Sequence, residues 1–143
     1  MIHLRDQIIP ARFLLTLGHF IAVLLVHYTK DHHIYAVYDD PSSTEKNDAV
    51  FQLEAALNVA VVCFVFDFLG MFTGASIFLH KVNFLQILIH FIGGILVCTF
   101  VQDAWGFHYL WPLVIIFNVS SALIEIGVLM AIHVFKVVMF GGD

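Results

Sequence analysis

Four long apolar runs divide this chain, and each carries one ionisable side chain deep inside it: His19, Asp67, His90 and Glu125. Runs of about 20 apolar residues match the thickness of a bilayer core, not the narrow apolar stripe of a soluble helix. The first extends from about residue 11 to 28, the second from 50 to 79, the third from 83 to 101 and the fourth from 110 to 135. Pro112 falls in the first turn of the last run, where a missing N–H costs little. His80 and Lys81 read as a tight hairpin, and residues 102–108 as a short connection. Residues 29–49 form the one sizeable loop, acidic, with turn chemistry at Asp40-Pro41-Ser42-Ser43. The pattern predicts an all-α membrane protein, an antiparallel four-transmembrane-helix bundle in a single domain over residues 1–143.

Composition agrees. The chain has 143 residues, 61% hydrophobic and only 12% charged, with a mean hydropathy of +0.94. A soluble domain of this size could not hide so much apolar surface, so the lipid bilayer is its first partner. The net charge of −5 argues against a nucleic-acid partner, which calls for a basic patch. Cys63 and Cys98 both lie within apolar runs and read as small buried hydrophobes. Arg5 and Arg12 precede the first run without a small-residue cleavage site, so this segment reads as a retained signal anchor.

Charge beside the runs predicts orientation. Arg5, Arg12, Lys81 and Lys136 lie on one side, and Lys30 and Lys46 on the other. This bias places both termini in the cytoplasm. Tyr28, Tyr35, Tyr38, Trp105, Tyr109 and Trp111 all lie on the opposite side, with Tyr28, Trp105, Tyr109 and Trp111 placed for an interfacial aromatic belt. The acidic loop then faces outward.

Counting from the nearest basic residue puts His19, His90, Glu125 and Asp67 at depths of roughly 10, 14, 16 and 21 Å, near the middle of a ~30 Å core. Each sits on a stripe of small or polar residues at helical spacing. The stripes are Thr16 and His19; Cys63, Asp67, Gly70 and Gly74; Gln86, His90 and Gly93; and Asn118, Ser121 and Glu125. The first reading is an intramembrane polar layer in which two His–carboxylate pairs hold four helices in register. A metal site, a proton relay or a haem held by His19 and His90 are the functional alternatives. Gly70, Gly74 and Gly93 are expected at helix-packing contacts, with Gly70-x-x-x-Gly74 inside the second span. Glu54 and Asn58 read as interfacial, His32-His33 as solvated, and the Asn118-Val119-Ser120 sequon as inaccessible within a span. No nucleophile–base pair, phosphate-cradling loop or dinucleotide fingerprint is visible, so neither an enzyme, a cofactor nor a small-molecule substrate is expected.

Several ordered segments carry a likeness to a known family. They are Pro10-Ala11-Arg12-Phe13-Leu14, then His19, then Gln52-Leu53-Glu54-Ala55-Ala56-Leu57. Asp67 follows, with Gly70-Met71-Phe72-Thr73-Gly74-Ala75-Ser76-Ile77-Phe78, His90, Trp105 ahead of Tyr109, and Glu125 closing Ser120-Ser121-Ala122-Leu123-Ile124-Glu125. Together they resemble the transmembrane protein 107 family over nearly the whole chain. Asp67 stands where that likeness leads one to expect glutamate, and Lys136 stands alone where a basic cluster is expected. The resemblance implies a four-span component of the ciliary transition zone, in the Meckel-syndrome module, assembling with other membrane and soluble proteins that control ciliary membrane composition. It implies no catalytic residues. The alternative is a small proton-coupled carrier, or a metal- or haem-binding membrane protein, built on the polar layer.

Overall fold

The structure is a computed structural model that describes residues 2–134, except 75 and 78, with side chains from residue 7 onward. The expected end of the fourth span at 135, Lys136 with its orienting charge, the Gly141-Gly142-Asp143 end expected to fray, the Arg5 side chain, and Ala75 and Phe78 of the family-like stretch lie outside the described residues. Those described are helical or irregular, with no strand among them. Four segments are long and apolar enough to cross a bilayer: Gln7–Tyr28, Ser43–Phe72, His80–Gln102 and Phe107–His133.

The first span lies in α1 (Ile2–Tyr28), and a short α2 (Lys30–Tyr35) follows at once. The second is α3 (Ser43–Phe72). It starts well before residue 50 because Ser42 and Glu45 form a capping box. The Ser42 hydroxyl accepts from the Glu45 amide at 3.4 Å, and the Glu45 carboxylate accepts from the Ser42 amide at 2.9 Å. Much of the expected acidic loop is therefore helix. At its other end α3 stops at Phe72 rather than near residue 79. Gly74, at φ +75, takes the left-handed conformation that ends helices, and its amide donates to the Met71 carbonyl at 3.2 Å.

The turn between the second and third spans is thus residues 73–79, and His80, expected in the hairpin, opens α4 (His80–Gln102). The fourth span begins as a 3₁₀ turn at Phe107–Tyr109. It continues through α5 (Leu110–Leu113) and a π-helical turn (Val114–Val119) into α6 (Ser120–His133). Nothing in the sequence signals that π turn. Such turns widen a helix locally and leave one residue without its usual partner.

Consecutive spans run antiparallel, and several of the closest contacts join parallel ones. Arg12 meets Asn83 and His19 meets His90, both pairs 71 residues apart, so α1 and α4 ascend together. In the same way Asp67 meets Ser121 and Gly70 meets Glu125, so α3 and α6 descend together. Between these pairs, Phe64 and Phe68 of α3 interlock edge-to-face with His19 and Phe20 of α1.

At the acidic-loop end α2 folds over the bundle. His33, expected to be solvated, is fully buried and stacks on Phe100 with ring centres 4.1 Å apart. Its Nδ1 bonds the Trp105 carbonyl at 2.8 Å, and its Nε2 lies 3.1 Å from the Thr29 hydroxyl. Ile34 beside it is buried as well, which explains why a polar-looking segment becomes a lid. His32 stays exposed. Lys30 pairs with Glu54 at 2.7 Å and Lys46 with Asp31 at 3.2 Å, surface contacts of small energetic weight. Tyr28 and Tyr109 are exposed at this same end, while Trp105 and Trp111 are partly buried against the apolar core.

Two outcomes follow. α4 ends in a Schellman turn: the Trp105 amide donates to the Phe100 carbonyl at 3.1 Å, and Ala104 occupies the left-handed position at φ 48. Glycine is the natural occupant, so Ala104→Gly should raise stability by about 1 kcal/mol, measured as detergent thermal unfolding. Burial pushes the His33 imidazole below its ordinary value of 6.5; the Trp105 carbonyl opposes this and nearby His32 reinforces it. A folded-state value below the unfolded one lets the unfolded chain take up the proton first as pH falls. His33's contribution to stability is therefore complete above about pH 6.5 and lost below it, and His33→Gln should flatten that dependence in unfolding scans.

Candidate functional site

The polar residues of the bundle core form a continuous ladder. At the end nearer the 73–79 turn stands Arg12 on α1, only 1% exposed and in an ion pair with Glu125 of α6. Its other terminal nitrogen donates to Ser76 Oγ at 2.8 Å and Asn83 Oδ1 at 2.6 Å. Ser76 reaches back to the Gly70 carbonyl at 3.3 Å, and Asn83 donates to the Ile77 carbonyl at 2.6 Å. One guanidinium thereby gathers α1, α4, α6 and the turn that Gly74 begins.

Gln86 forms the next rung. Its amide nitrogen lies 3.3 Å from Glu125 Oε1 and 3.1 Å from the Ser121 carbonyl, and Ser121 Oγ bonds its oxygen. Ser121 Oγ also lies 2.8 Å from Asp67 Oδ1 and 3.1 Å from His90 Nε2. Asp67 Oδ2 faces His90 Nε2 at 3.5 Å, an ionic distance without a well-formed hydrogen bond. The last rung is His90 Nδ1 to His19 Nδ1, 3.2 Å apart, one nitrogen donating and the other accepting.

His19, Asp67, His90 and Glu125 therefore all turn inward and are buried, on two levels. Asp67, His90 and His19 share one level. Glu125 stands apart, facing Arg12. There is one His–carboxylate pair, not two, because a guanidinium offers carboxylate a stronger, multiply bonded partner than an imidazole does. Arg12 corrects the expectation of an interfacial charge. It lies one turn before Thr16 on the face that continues through His19, Val23 and Val26, and all of these are buried. That spacing was the available signal. Ser76, in the turn, and Asn83, in the first turn of α4, carry no such signal.

Two glycines permit these approaches. A Cβ on Gly70 would collide with the Glu125 carboxylate, and one on Gly93 would lie 2.7 Å from His19 Cε1 and 3.0 Å from Phe117 Cβ. Gly74 differs from expectation: it ends α3, and a Cβ there would meet nothing within 4 Å. The Gly70–Gly74 spacing is therefore not a face of one helix.

No group of three or more His, Cys, Asp or Glu side chains among the described residues is placed to share a metal ion. Six buried polar atoms lack a hydrogen-bond partner among the described residues: Arg12 Nε, Thr16 Oγ1, His19 Nε2, Asp67 Oδ2, Asn118 Nδ2 and Glu125 Oε2. Such atoms are costly in a dry interior.

Residues 8–129 match the family model described as TMEM107, Transmembrane protein. The chain belongs to this family. It is similar to transmembrane protein 107 of Homo sapiens, 24% identical over 132 residues, covering 90% of this chain and 93% of that protein. It is likewise similar to the Danio rerio protein of the same name, 25% identical over 130 residues, covering 87% and 93%. The Mus musculus protein is 26% identical over 132 residues, covering 90% and 93%. No solved structure matches the chain. The matched region of this family member contains every rung of the ladder, from Arg12 to Glu125.

Removing one partner of the buried ion pair strands the other. Arg12→Met should cost about 3–5 kcal/mol in detergent unfolding, whereas Arg12→Met combined with Glu125→Met should recover most of the loss. Equal loss in the single and double variants would show that the pair does not organise the bundle.

Proposed function

We propose that this chain is a membrane component of the ciliary transition zone, helping to assemble the Meckel-syndrome-module barrier that controls ciliary membrane protein composition and ciliogenesis. The observation that carries the proposal is the family match, which takes in 8–129, together with relatives aligned over nearly their full length. The architecture supports a scaffold. Nearly all of the described mass lies in spans, so contacts with other proteins run through helix faces and short loops. Large apolar side chains such as Leu14, Phe51, Phe72, Phe84 and Ile116 point outward on several spans, toward lipid or neighbouring helices.

In this reading both termini face the cytoplasm and the lid made by α2 faces outward. The polar ladder is structural, holding the faces in a fixed arrangement for transition-zone membrane and soluble partners. The tyrosines and tryptophans at the α2 end sit at the headgroup level.

A fluorescently tagged copy expressed in ciliated cells should concentrate in a narrow zone at the ciliary base. Spread along the axoneme, or retention of the native sequence in the endoplasmic reticulum, would contradict this reading. Arg12→Met should reduce the signal at the base, with the double Arg12→Met, Glu125→Met variant closer to the native level.

A further inference from the structure

Between α1 and α4 a cleft of about 360 Å³ opens at the bundle's side. Leu14, Leu15, Phe91 and Ile95 make its walls apolar. Gly18 and Gly94 widen it by omission, and a Cβ built on Gly18 would meet nothing within 4 Å. Two imidazoles, each only 1% exposed, form part of the lining. His90 has both nitrogens occupied, Nδ1 by His19 and Nε2 by Ser121 and Asp67. His19 is bound only through Nδ1, and its Nε2 has no partner among the described residues. An apolar recess with one unsatisfied polar atom in its lining has the character of a small-molecule site.

We propose that this cleft binds a sterol hydroxylated at the end of its tail, with that hydroxyl meeting His19 Nε2. The hydrocarbon surroundings exclude a charged headgroup. A hydroxyl fits the nitrogen in either tautomeric state. If Asp67 is ionised, Ser121 Oγ donates to its Oδ1 and accepts from His90 Nε2–H; His90 Nδ1 then accepts from His19, and His19 Nε2 is left as an acceptor. If Asp67 carries a proton the sense of the chain reverses, and Nε2–H donates. A hydroxyl both donates and accepts, whereas a carbonyl or ester serves only one of these states.

Depth selects the tail position. His19 lies nine residues from the end of α1 at Tyr28, roughly 14 Å or about one leaflet of a ~30 Å core. A sterol held by its ring hydroxyl at the headgroups is about one leaflet long, so its tail end reaches the level of His19. Thr99 lines the cleft nine residues beyond His90, toward the α2 end. Its hydroxyl donates to the Leu96 carbonyl at 2.9 Å, which leaves oxygen lone pairs for the sterol's ring hydroxyl. An unmodified sterol would bring only a methyl group to the histidine. His19 Nε2 is buried in the unliganded protein, so in this proposal the imidazole turns toward the cleft on binding. None of this depends on the ciliary reading.

The purified protein in phosphatidylcholine nanodiscs can be titrated with a radiolabelled tail-hydroxylated sterol and, in parallel, with cholesterol. Saturable binding is expected, about tenfold tighter for the hydroxylated sterol, the ratio that one further hydrogen bond supplies. Gly18→Leu, which fills the cleft from an open position, should abolish binding of both sterols without changing thermal unfolding. His19→Phe keeps the ring's bulk and should erase the preference between them. Absence of saturable binding, equal affinity for the two sterols in the native protein, or binding that survives Gly18→Leu would each overturn the proposal. So would Cys98–Cys98 cross-linking between copies that the hydroxylated sterol, added beforehand, fails to prevent, because the cleft, with its exposed Cys98, would then hold a second copy of this chain.

Discussion

A guanidinium enclosed by lipid-immersed helices cannot shed its charge, so the helices must bring an anion to it. Arg12 and Glu125 meet that demand, and much of the bundle is arranged around their contact. Gly70 has no side chain because the Glu125 carboxylate occupies the space where one would stand. Ser76 in the turn and Asn83 in the first turn of α4 accept from the other terminal nitrogen of Arg12. Gln86 links the ion pair to the next rung, and Ser121 passes the connection to Asp67 and His90. In a medium without water each of these atoms must find a protein partner, which makes the ladder cooperative.

The ladder also determines which spans are close. Helix association in lipid depends on packing and hydrogen bonds, since burying apolar surface gains little there. The partnerships between Arg12 and Asn83, and between His19 and His90, lie along two parallel helices. Those between Asp67 and Ser121, and between Gly70 and Glu125, lie along the other two. Phenylalanines 64 and 68 fill the seam between the pairs. Phe100, His33 and Trp105 close one end with stacked rings and a carbonyl bond.

Much of this is legible from the sequence, and the rest has identifiable reasons. Four apolar runs specify four spans, because hydrocarbon thickness sets their length. The small-and-polar stripes indicate which faces turn inward, because polar atoms facing acyl chains are costly. The pairing within the ladder does not follow from spacing on any one helix. The nearness of Arg12 to the start of a span suggests an interface, although its spacing from Thr16 and His19 puts it on the inward face. His33 sits beside an exposed twin, and only Ile34 hinted that one of the two is covered. The boundaries of α3 depend on a capping box and one glycine conformation, both local features that hydropathy does not register.

The ion pair also bears on how the chain is made. Its members are 113 residues apart, the arginine in the first span to leave the ribosome and the glutamate in the last. Until the fourth span has been made, the nascent protein holds an unpaired cation in its first. Water or other polar groups must solvate it until then. A chain halted before the fourth span therefore keeps a charge that its own helices cannot neutralise.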